Sequence, residues 1–482
     1  MHSLLLIPVL LPLLGGLAVF HLHKSRPRQI YVAALLSLEL LLLLTLGWQA
    51  APQRLLALTP QVVLTLAPDA LGRLFALPVS AIWLLAGVYA FGYMSHEEHR
   101  ERFFAFYVMA LGALVGICLS GNLVTLYLFY EMMTLLTVPF VIHSGEGKAI
   151  DAGIKYLGFS VCGAGLGLLG LFYLQGQWTG DLFTPGGVLG EVASRPQLLA
   201  AFFLMLLGFG AKAGMFPLFA WLPTAHPVAP SPASAVLSGL ITKMGVLAIL
   251  RVIYYQFGMD FLAGSWVQTA GLWLAIFTIF MGSMLAYKEK FLKKRLAYST
   301  VSQVSYILFG MLLLNRSGFQ GAMLQFVFHA FAKNGLFLAA GAIIFYTGHT
   351  RVTQLRGVGK CMPCTMAAFA LCSLSLTGIP PTGGFVSKFY LAQGGLELGF
   401  VGVFGVAVLM LSALLTAGYL LPVITDAFFP GDDFDYAGVK KTESSLAMKL
   451  PLLLLAAAVL VLGAFPGLVE GLIAPVTAAL FS

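Results

Sequence analysis

Apolar stretches of roughly 20 residues, the length a helix needs to cross a bilayer, recur along the whole chain. Short polar or Gly/Pro-rich links separate them. The pattern predicts spans near 3–22, 29–48, 70–94, 103–120, 122–142, 150–175, 197–220, 232–254, 264–286, 296–314, 319–347, 366–392, 400–426 and 448–466. The fold class expected is therefore an all-α polytopic membrane protein with about fourteen transmembrane helices. The longest polar links, 49–68, 176–196 and 429–447, are each too short to fold alone. The last of them, with "FPGDDFDYAGVKKTESS", reads as a cytoplasmic connector. The first apolar run has no basic residues before it and a basic cluster after it, so it reads as a retained span and not a signal peptide.

Composition agrees with the pattern. Of 482 residues 59% are hydrophobic and 10% charged, against about 25% charged in a soluble domain. The formal charge of +8 raises the question of an anionic partner, and the positions of the charges answer it. With the N-terminus outside, eighteen of the 27 Lys/Arg lie in or beside the inner loops, at 24–28, 100–102, 148–155, 288–295, 351–360 and 440–449. Five, Arg54, Arg73, Arg195, Arg251 and Arg316, lie on the other side. This bias is the positive-inside rule. It indicates a multi-pass protein of the cell inner membrane with both termini on the non-cytoplasmic side, and no nucleic-acid partner.

Several motifs carry no chemistry. "CMPC" at 361–364 has no second CxxC or His pair. "HEEH" at 96–99 has the wrong spacing for a zinc helix, and no Walker-type phosphate loop occurs. The sequence shows no Fe–S cysteine spacing and no Rossmann fingerprint. No metal, no cofactor and no catalytic residue is therefore assigned to this chain.

Four basic residues remain inside the spans: Lys212, Lys243, Lys333 and Lys388. Embedded acids are fewer, chiefly Glu131 and Glu39. Each such charge costs about 2.5–3.5 kcal/mol at a helix centre, so six of them call for a role. Two of the lysines sit beside helix breakers. "GAKAGMFP" puts Lys212 before Pro217, and "LTGIPPTGGFVSKFY" puts Pro380 and Pro381 before Lys388. Paired interrupted segments in two halves point to inverted-repeat transporters with ion sites at the breaks. An odd offset of five spans gives the two units opposite orientation. Desolvation lowers a lysine's proton affinity and a nearby carboxylate raises it. Glu131 is the natural partner for Lys212, with Lys243, His329, Lys333 and Lys388 following as a relay across the membrane plane. His329 and Lys333 are four apart, on one helix face. Structural alternatives stay open: a carbonyl-capping Lys333, a hydrogen-bonded His329, plain ion pairs, and a Glu39 at the head groups or a subunit contact. The cluster "KEKFLKKR" at 288–295 reads as a solvated, topology-setting loop.

The stretches "FYEMMTLLTVPFVI", "AKAGMFPLFAWLPTAHPVAPSPASAVLSGLITKMGVLAILR", "KKRLAYSTVSQVSYI", "HAFAKNGLFLAAGAI" and "GIPPTGGFVSKFYL" resemble the antiporter-like subunits of respiratory complex I, Mrp-type Na+/H+ antiporters and membrane-bound [NiFe] hydrogenases. The resemblance covers residues 90–425 and implies fourteen helices with two inverted five-helix repeats and discontinuous seventh and twelfth helices. The implied organisation is 1–100 for helices 1–3, 101–256 and 257–428 for the repeats, and 429–482 for the connector and helix 14. It matches Glu131 and Lys212 to the family's glutamate–lysine pair, Lys243 to its central lysine, Lys388 to its terminal charge, and His329 and Lys333 to the linking positions. One branch carries glutamate at the Lys388 position; lysine fits the others, including the Mrp type. Gln325 falls where some relatives carry a second histidine, and the chain lacks the long lateral helix of the largest relative.

The function implied is proton translocation, or Na+/H+ exchange, by a subunit of a redox-driven membrane complex. The runner-up is a subunit of an Mrp-type antiporter without redox chemistry, and a third reading is a quinone-binding subunit. The partners implied are other membrane subunits, the lipid bilayer and H+ or Na+.

Overall fold

The computed structural model describes residues 4–59, 62–175, 182–188, 195–431, 434–435 and 442–481. A turn at Leu4–Leu6 leads into α1 (Ile7–Val19), and α2 (Ser25–Thr45) runs back beside it. The link that follows departs from the all-α expectation. It holds an antiparallel hairpin of β1 (Gln53–Thr59) and β2 (Val62–Leu66). Val62, Val63 and Thr65 are β-branched and suit a pleated, half-buried surface. Asn122 donates to the Val63 carbonyl at 2.8 Å, and the Thr65 amide donates to Thr125 at 2.8 Å.

Next come α3 (Ala70–Tyr93), α4 (Arg100–Cys118), α5 (Leu123–Val141), α6 (Gly147–Gln175) and α7 (Arg195–Ala213). Short polar side chains in the links start several helices by satisfying orphan amides. Asp69 caps α3 and Asn122 caps α5. The seventh span ends early. Gly214 at φ +80 breaks it, in a conformation that glycine adopts without strain. Irregular turns carry the chain through Pro217 to α8 (Leu222–Val228). Then α9 (Ser231–Val236) and α10 (Thr242–Arg251) form one wholly enclosed run to Phe257, with π-helical segments at Leu237–Ile241 and Val252–Phe257. π segments of this kind concentrate at functional sites.

After α11 (Met259–Leu262) follow α12 (Trp266–Lys288), α13 (Leu292–Leu312) and α14 (Arg316–Thr347), the middle and last with ranges wider than expected at their N-terminal ends. Ser265 caps α12 and Asn315 caps α14. The basic cluster at 288–295 is only partly a solvated loop. α13 begins inside it, Lys293 donates to the Ala229 carbonyl at 2.7 Å and Arg295 to the Tyr419 carbonyl at 2.8 Å.

A short α15 (Val358–Cys361) precedes α16 (Pro363–Thr377). The amide of Cys364, in "CMPC", is capped by the Glu443 carboxylate at 2.7 Å. Gly378 at φ +91 breaks the twelfth span, which resumes as α17 (Gly383–Leu396). α18 (Gly399–Phe428) and α19 (Leu446–Ala464) complete the expected spans. α20 (Gly467–Leu480), which the apolar pattern did not separate out, packs on α3 and α14. The connector's Lys440 and Lys441 lie outside the described residues.

Eleven of the described helices are long and apolar enough to cross a membrane. The chain is a mostly helical, multi-pass membrane protein. Its axis is α14, nearly all enclosed and packed by α3, α9, α13, α16, α17 and α19. Without a hydrophobic drive between helices in lipid, close approach of small residues does this packing. Gly239 is one such point, where a Cβ would lie 1.9 Å from the Asn334 amide.

Candidate functional site

The last turn of α7, just before the Gly214 break, carries Lys212, which is 1% exposed. Its Nζ donates to the Tyr156 and Ser160 hydroxyls of α6, each at 2.9 Å, and lies 4.4 Å from the Tyr156 ring centroid. Tyr156 in turn meets Thr137 of α5 at 2.6 Å. Tyr156 and Ser160 are four apart, so one face of α6 presents both hydroxyls to the ammonium. Glu131, on α5, is half-buried, and its Oε1 has no hydrogen-bond partner among the described residues. It is within electrostatic reach of Lys212 but makes no contact ion pair with it. The expected pair is thus separated in this structure, with the α6 hydroxyls holding the lysine instead.

Lys243 opens α10 directly after the first π segment. Its Nζ donates to the Ser238 carbonyl at 2.6 Å, a carbonyl that the Thr242 hydroxyl also reaches at 2.7 Å. Lys333 on α14 donates to the Leu296 carbonyl at 2.9 Å and to the Ser299 hydroxyl. Lys243 and Lys333 sense one another's charge. A shared hydroxyl pair lies between their ligands: Ser238 meets Thr300 at 2.6 Å, and Thr300 donates to the Leu296 carbonyl at 3.0 Å. His329 is within electrostatic reach of Lys243, Lys333 and Lys388, and neither ring nitrogen has a hydrogen-bond partner among the described residues. Lys388 on α17 donates to the Leu376 carbonyl of α16, which the Gly378 break frees. The proline positions Pro217, Pro380 and Pro381 fall within the two breaks.

Gln325 is locked between two partners. It donates to Gln303 at 2.8 Å and accepts from Ser387 at 2.6 Å. Glu39 is fully enclosed on α2, with no hydrogen bond to either carboxyl oxygen among the described residues, so it is not a head-group acid. Arg251, counted among the charges of the non-cytoplasmic side, is 1% exposed and pairs with Asp69 at 2.6 and 2.8 Å. The cap residue of α3 thereby also anchors the end of α10.

The sequence pattern did not single out His226 on α8. It is enclosed, both ring nitrogens lack partners among the described residues, and its ring stacks on Phe337 at 4.8 Å. Lys243, Lys293 and Lys333 are the charges facing it. The signal was "TAHPVAP", a titratable residue beside a proline in an interrupted stretch. Immediately after His226, Pro227–Pro230 line a cavity of about 510 Å³ that also takes in Tyr93, Glu97, His143 and Lys293. His143, in the turn after α5, has its proton affinity lowered to about 4 by burial and by the Arg102 charge.

Four enclosed lysines in a polytopic helical fold with two broken spans are what is expected of a protein of the antiporter-like type. The transmembrane family of NADH:quinone oxidoreductases and Mrp antiporters matches residues 120–416, and the N-terminal family of complex I chain 5 matches 59–104. NADH-quinone oxidoreductase subunit N of Desulforudis audaxviator (strain MP104C) is 36% identical over 401 residues, 80% of this chain and 79% of that one. A Na(+)/H(+) antiporter component of Bacillus subtilis (strain 168) is 28% identical over 448 residues, 89% of this chain and 87% of that one. A chain in the Mrp complex of Dietzia sp. DQ12-45-1b has the same fold, with a TM-score of 0.86, 23% identity, and coverage of 100% of this chain and 97% of that one. The chain belongs to the NADH:quinone oxidoreductase/Mrp antiporter family and is an antiporter-like subunit.

Proposed function

We propose that this chain moves protons along Glu131, Lys212, Lys243, His329, Lys333 and Lys388, as one subunit of a redox-driven complex in the bacterial or archaeal cytoplasmic membrane. The reading takes the chain as fourteen spans, with both termini on the non-cytoplasmic side. Inverted five-helix units at 101–256 and 257–428 follow helices 1–3, and the connector and last span occupy 429–482. The carrying observation is that four enclosed lysines each bond, among the described residues, uncharged oxygens only. An approaching carboxylate makes a lysine hold its proton, and the carboxylate's withdrawal lets it go. Glu131, near Lys212 but apart from it, is the movable partner. Making and breaking that pair loads and unloads Lys212, and each lysine's charge then acts on the next. The 510 Å³ cavity beside His226 serves as the inner inlet to the centre of the line.

A second reading, supported by the B. subtilis antiporter relative, is an Mrp-type antiporter with Na+ as the counter-ion and no redox module. Neither reading gives this chain a cofactor; other membrane subunits supply the driving chemistry. In vesicles holding the assembled complex, Lys212→Ala and Glu131→Gln are expected to abolish proton transport. Native transport in both variants overturns the relay. Proton movement driven by a Na+ gradient without reductant selects the second reading.

A further inference from the structure

α18 has the highest hydropathy among the span-length helices, at 2.4, and from Gly399 to Ile424 its only polar side chains are Ser412, Thr416 and Tyr419. They fall on consecutive turns of one face, and all three are buried. A hydroxyl removed from water costs free energy unless it is hydrogen-bonded, so their partners matter.

The Tyr306 hydroxyl of α13 donates to Ser412 at 2.8 Å, and Ser302 lies 3.1 Å from the same oxygen. One turn on, Thr416 accepts from Tyr419 at 3.3 Å. Ser299 of α13, whose hydroxyl donates to the Leu296 carbonyl at 3.0 Å, lies near the Tyr419 hydroxyl. The two ends of this series meet the lysine line. Ser299 accepts from Lys333, and Lys388 Nζ lies 5.8 Å from the Tyr306 ring centroid.

The direct path between the same two lysines runs along α14 through His329 and then Gln325. A glutamine amide accepts on oxygen and donates from nitrogen, so it does not take up a proton as a histidine does, and Gln303 and Ser387 hold it in place here. A hydroxyl accepts and donates through one oxygen. It can therefore take a proton on one side while releasing its own on the other.

We propose that protons pass between Lys333 and Lys388 along Ser299, Tyr419, Thr416, Ser412 and Tyr306, bypassing Gln325. The inference rests on the proton-transport reading above. At each step an O–H bond forms to the incoming proton and another breaks toward the next oxygen, so no charge accumulates and no co-reactant is needed. The Thr416 hydroxyl donates to the Ser412 carbonyl at 2.8 Å, so transfer to the Ser412 hydroxyl, with Cβ atoms about 5–6 Å apart at i and i+4, requires that hydroxyl to turn and a water to enter between them.

The test is proton transport by the assembled complex in vesicles, with assembly checked by copurification of the other subunits. Tyr419→Phe, which keeps the ring, and Ser412→Ala are each expected to slow transport about a hundredfold, the low side of what a positioned proton-transfer group contributes. Adding Gln325→His to Tyr419→Phe supplies a protonatable group on the direct path and is expected to restore transport. A loss that Gln325→His does not restore marks a packing role and overturns the bypass. Native transport in the Tyr419→Phe/Ser412→Ala double variant, with Lys388→Ala inactive, overturns the bypass and leaves the lysine relay standing. Native transport in Lys388→Ala as well removes the relay itself.

Discussion

Lys212 rests between two α6 hydroxyls, Lys243 and Lys388 each rest on a backbone carbonyl at a π segment or a break, and Lys333 rests on the Leu296 carbonyl within α13. The cost of these charges made the lysines visible in the sequence. Their ligands were not visible, because Tyr156, Ser160 and Ser299 are ordinary residues for a membrane helix, and only packing decides which of them meets an ammonium. Tyr156→Phe removes one of Lys212's two side-chain acceptors. An unmade buried bond to a charge costs about 1.5–3 kcal/mol, so the variant is expected to transport protons some tenfold or more slower. Native rates would show that Tyr156 is only packing. His143 sets a pH dependence at the C-terminal end of α5. Its folded affinity, about 4, lies below the ordinary 6.5, so between these values the unfolded state binds more protons. Its contribution is complete above pH 6.5 and lost as pH falls toward 4. Amide exchange around residues 141–146 is expected to accelerate over that window in the native chain and not in His143→Gln; identical pH profiles contradict this.

Helix breaks are where sequence and fold agree in kind and differ in detail. Proline and glycine announced both interruptions, yet the first opens at Gly214, ahead of Pro217, and the second at Gly378, ahead of Pro380. The π segments flanking α10 left no mark in the apolar pattern, because a one-residue change in hydrogen-bond register does not alter composition. The hairpin at 53–66 was missed since its short strands lie in a link between long apolar runs. Gly378 carries a specific expectation. A side chain there meets the left-handed penalty of about 1–2 kcal/mol, and its Cβ would lie 2.8 Å from Lys388 Nζ. Gly378→Ala should lower the thermal stability of the purified complex and slow its transport. Gly158→Ala, in a helix interior with open space around it, should change neither. Equal behaviour of the two variants would remove the break from the account.

For the whole molecule, the two broken spans carry Lys212 and Lys388, and the enclosed run 231–257, which carries Lys243, packs against α14. The helical, multi-pass class was legible because the length of an apolar run is a one-dimensional property of the chain. The inward stripe of hydroxyls on α18 and the cavity beside His226 were not, since each needs several helices in place. Lys243 is the most telling residue of the line: it is fully enclosed, and its bonds among the described residues go to Ser238 and Thr242 alone. The decisive measurement is proton transport by the assembled complex carrying Lys243→Met, which keeps the length of the side chain and removes its charge. The account predicts an assembled complex that no longer moves protons; transport at the native rate would contradict it.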